Sequence, residues 1–223
     1  MSNKNLGVVW KAEPHTIAKT EVLRAYLVAY FQILGTSKPR QTILYVDGFA
    51  GPDEYTNFPH GSPTAALIAA QEAIKNSLRR WIAGEIHCAF IEPDPKRFEN
   101  MDKKIHPFRG VNGLKIHTHN ADFVTGLAAL RKDIPAPFCK SHPFFVFIDP
   151  FGATGAPFSA VSEILTSGCS EVLINVDADG SREYSARRTK RTMKNYSSQY
   201  TAIAPGWENS MIKSNLRCCV EKR

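Results

Sequence analysis

Three observations predict an α/β chain with a mostly parallel sheet and helices on both faces. Short apolar runs alternate with stretches of helical period along most of the 223 residues. Several runs are apolar throughout, as strands covered on both faces must be. Three of them end on a carboxylate followed by glycine or proline: Asp47-Gly48, Glu92-Pro93 and Asp149-Pro150.

The elements follow in order. Ile17, Leu23, Tyr26, Leu27, Tyr30, Phe31 and Leu34 recur with a helical period, and Pro14 with Thr16 supplies a start signal, so the first helix spans Thr16 to Leu34. A Gly-Thr-Ser-Lys-Pro break precedes a β-branched and aromatic strand from Thr42 to Asp47. Gly61-Ser62-Pro63 then introduces an alanine-rich helix to about Ile74, and Ile86 to Glu92 is the second strand. Pro95 opens a helix through Met101, Leu114 to Thr118 is a weaker strand, and Asp122 to Arg131 is helical. Phe144 to Asp149, a helix from Pro157 to Leu165, and a buried strand from Glu171 to Val176 complete the series. Strands that alternate with helices pair in parallel through right-handed crossovers.

Composition narrows the class. With 43% hydrophobic and 22% charged residues, the chain buries one good core. Residues 1–179 are taken as one domain and 180–223 as a basic C-terminal segment. Cysteines at 88, 139, 169, 218 and 219 form no C-x-x-C pair, and neither they nor His60, His117 and His119 have metal-site spacing. They read as reduced thiols of a cytoplasmic protein, without a metal. Met1 to Trp10 has no apolar run of signal-peptide length, and no segment is apolar for long enough to cross a bilayer.

The net charge of +7 is unevenly distributed: residues 180–223 hold ten basic and three acidic side chains, while the remainder is balanced. Such a segment attracts phosphate backbones, although a charge run is also an ordinary solvated surface.

In an open parallel sheet the carboxyl ends of the strands share one rim, where ligands bind. Each acid there has a second reading, as a cap of the following helix. The segment Asp47-Gly48-Phe49-Ala50-Gly51-Pro52 is the sharpest, because its glycines permit positive φ and close backbone approach to a ligand. It resembles the first motif of class I S-adenosylmethionine-dependent methyltransferases, with Asp53 where the D-x-F-A-G-x-G form has its last glycine.

Phe90-Ile91-Glu92-Pro93-Asp94 is similar to the second motif, whose acid accepts from the ribose hydroxyls; a carboxylate has two oxygens for a vicinal diol. The interval of 45 residues from Asp47 to Glu92 is too long for a simple dinucleotide fingerprint. Asn120-Ala121-Asp122-Phe123 resembles the third motif, which implies that Asp122 accepts from the adenine amine and Phe123 packs on the base; Asp122 is equally well placed as a helix cap. Phe147-Ile148-Asp149-Pro150-Phe151-Gly152 resembles the fourth, implying that Asp149, Pro150 and Phe151 present a planar, nitrogen-bearing substrate to the methyl group. His15 and Lys19, one turn apart on the first helix, are candidates for the cofactor's carboxylate, or a solvated pair.

Over Trp10 to Val176 these segments, with Trp10-Lys11-Ala12-Glu13-Pro14-His15-Thr16 and Gly61-Ser62-Pro63, resemble the three-Cys-motif partner protein family (TcmP). The resemblance implies a class I methyltransferase fold, S-adenosylmethionine as cofactor, and a radical-S-adenosylmethionine-like partner with a three-cysteine motif. Some members add a C-terminal winged helix, for which the residues to Arg223 have no apolar period. Two functions follow as expectations: methyl transfer to a nitrogen of a nucleic acid or other planar substrate, or a non-catalytic module that binds nucleic acid or its protein partner. Asp53 and the short C-terminus favour the second, but four motif segments in the right order on the right rim make the first the preferred reading.

Overall fold

The computed structural model describes residues 7–139, 142–150, 155–166 and 169–175. Five parallel strands form one sheet: β1 (Ile43–Asp47), β2 (Ile86–Ile91), β3 (Leu114–His119), β4 (Phe144–Ile148) and β5 (Ser170–Ile174), in the order β3-β2-β1-β4-β5. Val46 pairs with Ala89 on one side and with Val146 on the other, so β1 is the centre of the sheet. The chain steps outward from β1 to β3, then crosses back to β4. This is the 3-2-1-4-5 order of a doubly wound, Rossmann-like α/β fold, with its switch point between β1 and β4.

Alternation along the strands divides the core in two. Ile43, Tyr45, Ile86, Cys88, Phe90, Phe145 and Phe147 face α1 (Pro14–Gly35), α2 (Ser62–Asn76) and α3 (Pro95–Ile105). Leu44, Val46, Ala89, Ile91, Phe144, Val146 and Ile148 face α4 (Phe123–Asp133) and α5 (Phe158–Leu165). Both faces of β1 are apolar because both are covered, which is why its run reads as continuous rather than alternating.

Local chemistry sets the helix ends. Pro14, Pro63 and Pro95 stand in first turns, where the missing N–H costs nothing. Asp94 caps α3 by accepting from Lys96 N at 3.0 Å and Arg97 N at 2.9 Å. The first helix begins two residues before the predicted Thr16, and α3 runs on to Ile105 rather than stopping at Met101. Val176, predicted as the end of β5, and the basic segment 180–223 lie outside the described residues. Among the described residues no helix is long and apolar enough to cross a membrane.

Candidate binding site at the carboxyl rim

The turn after β1 is tied strand by strand to its neighbours. Gly48 N donates to Phe147 O of β4 at 2.9 Å, and Ala50 N donates to Ile91 O of β2 at 3.0 Å. Gly51 N donates to Glu92 Oε2 at 2.9 Å. A side chain at Gly48 would sit 2.7 Å from the Phe123 ring, so glycine allows α4 to approach the turn. Gly51 has φ +65°, with open space where a Cβ would stand. Phe49 stacks on Phe123 at 5.7 Å.

Asp47 has no exposed surface. Its Oδ1 accepts from Phe49 N at 3.2 Å, and the Ser62 side chain at the start of α2 is a second hydrogen-bonding neighbour of the carboxyl. Burial pushes its pKa up to about 7, opposed by hydrogen bonding from the Ser62 side chain and then from the Phe49 amide, with the nearby Asp149 and Asp53 carboxylates adding to the rise.

Glu92 is also buried, holding Gly51 N on one oxygen and Asp94 N on the other, each at 2.9 Å. Burial raises its pKa, and those two amides oppose the rise. Asn120 Nδ2 donates to Glu92 O at 2.8 Å, which joins the ends of β2 and β3.

The remaining predicted residues divide. Asp122 is exposed and caps α4, accepting from Thr125 N at 3.0 Å and Thr125 Oγ1 at 2.7 Å, which hold its pKa low. Phe123 is fully buried against Gly48 and Phe49. Lys19 Nζ lies 2.8 Å from Asp149 Oδ2, and Asn175 Nδ2 donates to Asp149 Oδ1 at 2.6 Å. His15 is exposed on the first turn of α1, Pro150 is half-buried, and Phe151 lies outside the described residues.

Asp53 has a role that the sequence did not disclose. Its backbone is left-handed, φ +57°, and its side chain is 1% exposed. Oδ1 accepts from Gly61 N at 2.8 Å and Thr64 N at 3.1 Å, and the Thr64 hydroxyl donates to Oδ2. Gly61 is the N-cap of α2 and has no side chain, so Asp53 caps that helix from eight residues away. A side chain at Gly61 would meet Asp53 at 3.1 Å.

Sequence reasoning also missed Asn175 and Tyr55. Asn175 follows β5 as Asp149 follows β4, a positional signal without a charge. The pKa of Tyr55 is raised to about 12 by burial first, then by Asp149, Asp47 and Asp53, so the phenol belongs to this acidic group. It is held by Trp10, through a parallel bridge and an edge contact at 5.8 Å. Among the described residues no group of three or more His, Cys, Asp or Glu side chains could hold a metal. Cys88 and Cys139 are free thiols.

No family model matches the chain, and no curated protein does. Among solved structures, a chain titled "Putative methyltransferase yhhF from Escherichia coli" is similar, at 21% identity and a TM-score of 0.37, over 75% of this chain and 77% of that one. At that identity and overlap, the likeness says nothing about activity.

Proposed function

We propose that this protein binds S-adenosylmethionine at the β1/β4 switch point and transfers its methyl group to a nitrogen of a planar acceptor. One observation carries the reading: the turn after the central strand is fastened by Gly51 N to Glu92, beside the buried Asp47. Acids 45 residues apart thus meet at one glycine turn on the ligand-binding rim.

The residues present suit the cofactor chemically. Each Glu92 oxygen that holds an amide keeps a second lone pair for a ribose hydroxyl. Asp47 stands buried at the same turn, and the space beside Gly51 is open. Asp53 does not count against the reading, because its carboxylate is engaged in capping α2. Lys19 and Asn175 fix both oxygens of Asp149, which holds that carboxylate in place to accept from an acceptor amine.

When bound, the cofactor brings an already activated sulfonium, so the protein's task is alignment rather than strong base catalysis. For the acceptor we favour a nucleic-acid base, in keeping with the basic excess of residues 180–223. A three-cysteine-motif, radical-S-adenosylmethionine-like protein is the partner that the family resemblance implies.

Calorimetric titration with S-adenosylmethionine tests the core of this reading. Binding should be saturable, and Glu92→Ala should weaken it by roughly 10- to 100-fold, the worth of hydrogen bonds to a charged group. A folded protein that releases no heat, or a Glu92→Ala variant that binds equally well, refutes it.

A further inference from the structure

Two histidines near the edge of the sheet share a hydrogen bond for which the candidate site has no use. His87 of β2 shares a face with Ala89 and Ile91, which pack on α4, and the strand register puts His117 of β3 on that face too. His87 Nδ1 and His117 Nε2 are 3.0 Å apart, with ring planes 9° from parallel. His87 stands opposite Lys115, and Ala89 opposite His117, so the bond runs diagonally across the two strands. Both rings are half-buried, His87 with 14% of its side chain exposed.

An N–H···N bond needs one ring nitrogen with a proton and one without. The pair therefore keeps its bond while it carries one charge or none. A second charge would turn N–H towards N–H at 3.0 Å, with no acceptor between the rings. Glu85 Oε2, 3.7 Å from His87 Nε2, favours the first proton on His87, and Lys115, 3.3 Å from the other Glu85 oxygen, offsets this. The charged neighbours of His117 are His87, His119 and Lys115 on the strands and Asp133 at the end of α4; Asp133 Oδ2 lies 3.8 Å from His119 Nε2. Burial first, then the charges of His87 and His119, push the His117 pKa down to about 4. Burial lowers that of His87 as well, against Glu85.

The strand held by this bond has little else to hold it. β3 is an edge strand, and only Leu114 of its six residues is buried. Its far end reaches the rim, where Glu92 N donates to His119 O at 3.1 Å and Asn120 Nδ2 donates to Glu92 O at 2.8 Å.

We propose that the His87–His117 bond is an acid-released latch: a second proton breaks it, and β3 opens from β2 as far as Glu92 while the other strands stay paired. The sign follows from the depressed values. In the opened strand the rings return to the ordinary histidine value of 6.5, so the closed form is favoured above that pH and loses ground as pH falls towards 4.

Hydrogen exchange followed by NMR on the full chain, expressed as protection relative to the unstructured rate, reads this opening without any ligand. Between pH 7 and pH 5, protection of the β3 amides and of Glu92 N should fall by at least about tenfold, the change for each pH unit over which only the opened form takes the proton. At pH 5 these amides should exchange faster than Leu44 N, which donates to Pro143 O in the middle of the sheet. Equal protection would mean that β3 leaves only when the whole sheet unfolds, and would overturn the proposal.

His117→Gln keeps an amide to pair with His87 and cannot titrate, so it should retain the protection seen at pH 7 and lose most of the acid response. His119→Gln, next along the same face, should leave the response in place. A response that survives His117→Gln, or that His119→Gln removes, overturns the latch. Imidazole nitrogen shifts of the wild-type chain give a check that needs no variant: one ring of the pair should stay neutral at pH 5, and two rings that titrate independently at about 6.5 overturn the proposal.

Discussion

Asp47 and Asp53 are two buried carboxyls a few residues apart, and burial raises both pKa values, to about 7 and about 6. For Asp47 the sign is clear. Between the ordinary carboxylate pKa of 3.8 and about 7, the folded chain holds a proton that the unfolded chain has released. Its contribution is therefore complete below pH 3.8 and is lost as pH rises through 7. Asp47→Asn keeps an acceptor for Phe49 N and removes the titration. Urea midpoints should show the variant more stable than wild type at pH 8, by roughly 4 kcal/mol at most, with the advantage vanishing towards pH 4. An advantage that grows on acidification would mean that Asp47 is held ionised.

Asp53 calls for a different experiment, because its carboxylate holds two backbone amides and a hydroxyl at the start of α2. Asp53→Ala should cost about 2 to 3 kcal/mol in thermal or urea unfolding, combining a lost cap with an alanine at φ +57°. Asparagine tolerates that backbone and keeps one acceptor, so Asp53→Asn should cost less than half as much. Equal losses would show that the cap is not what makes residue 53 matter.

At the scale of elements, α4 reaches the rim because Gly126 lets it lie against β2. A Cβ there would stand 2.7 Å from Ile91 Cγ2, inside a fully buried contact. Gly126→Val recovers less than about 1 kcal/mol of helix propensity and over-packs the α4–β2 contact by about 1 to 3 kcal/mol. A net loss in urea stability should result; a neutral or more stable variant would show that α4 can lift from the sheet freely.

Among the described residues the five strands and five α-helices were legible in the sequence, because β1 and β4 are unbroken apolar runs, β2 is nearly so, and each helix has proline or aspartate near its start. The third strand, Leu-Lys-Ile-His-Thr-His, reads more weakly because it is polar at every second position and only partly buried. The end of α3 was not, since half-buried Asp102 and exposed Lys103 and Lys104 separate buried Met101 from buried Ile105. Acids at strand ends were legible as candidates, but what they hold was not. Asp122 and Thr125 are three residues apart and could be read as a cap. The Lys19–Asp149 and Gly51–Glu92 contacts span 130 and 41 residues, and no local period reports them. Asp53 defied reading for the same reason: it sits in an irregular loop and caps a helix that begins after it.

At the scale of the whole molecule, the strand order makes a claim about where a ligand leaves its mark. Parallel strands put Asp47, Glu92, Asn120, Asp149 and Asn175 at one rim, while the loops around Gln41, Gly84 and Gly113 lie at the other. Crossovers leave β1 in opposite directions, which opens a crevice only at the carboxyl rim. Hydrogen exchange with saturating S-adenosylmethionine can tell the rims apart. Any ligand of the native state slows amides that exchange through global unfolding, so the informative amides are those in loops, which open locally. Gly48, Phe49, Ala50, Gly51 and Asp94 should slow by at least about tenfold, the signature of local opening suppressed by a bound ligand. Gly84 N, which donates to Gln41 O at 2.9 Å on the far rim, should keep its rate. Protection at Gly84 without protection at Gly51 would put the ligand on the wrong end of the sheet, and the switch-point assignment would fail even if the calorimetric titration had succeeded.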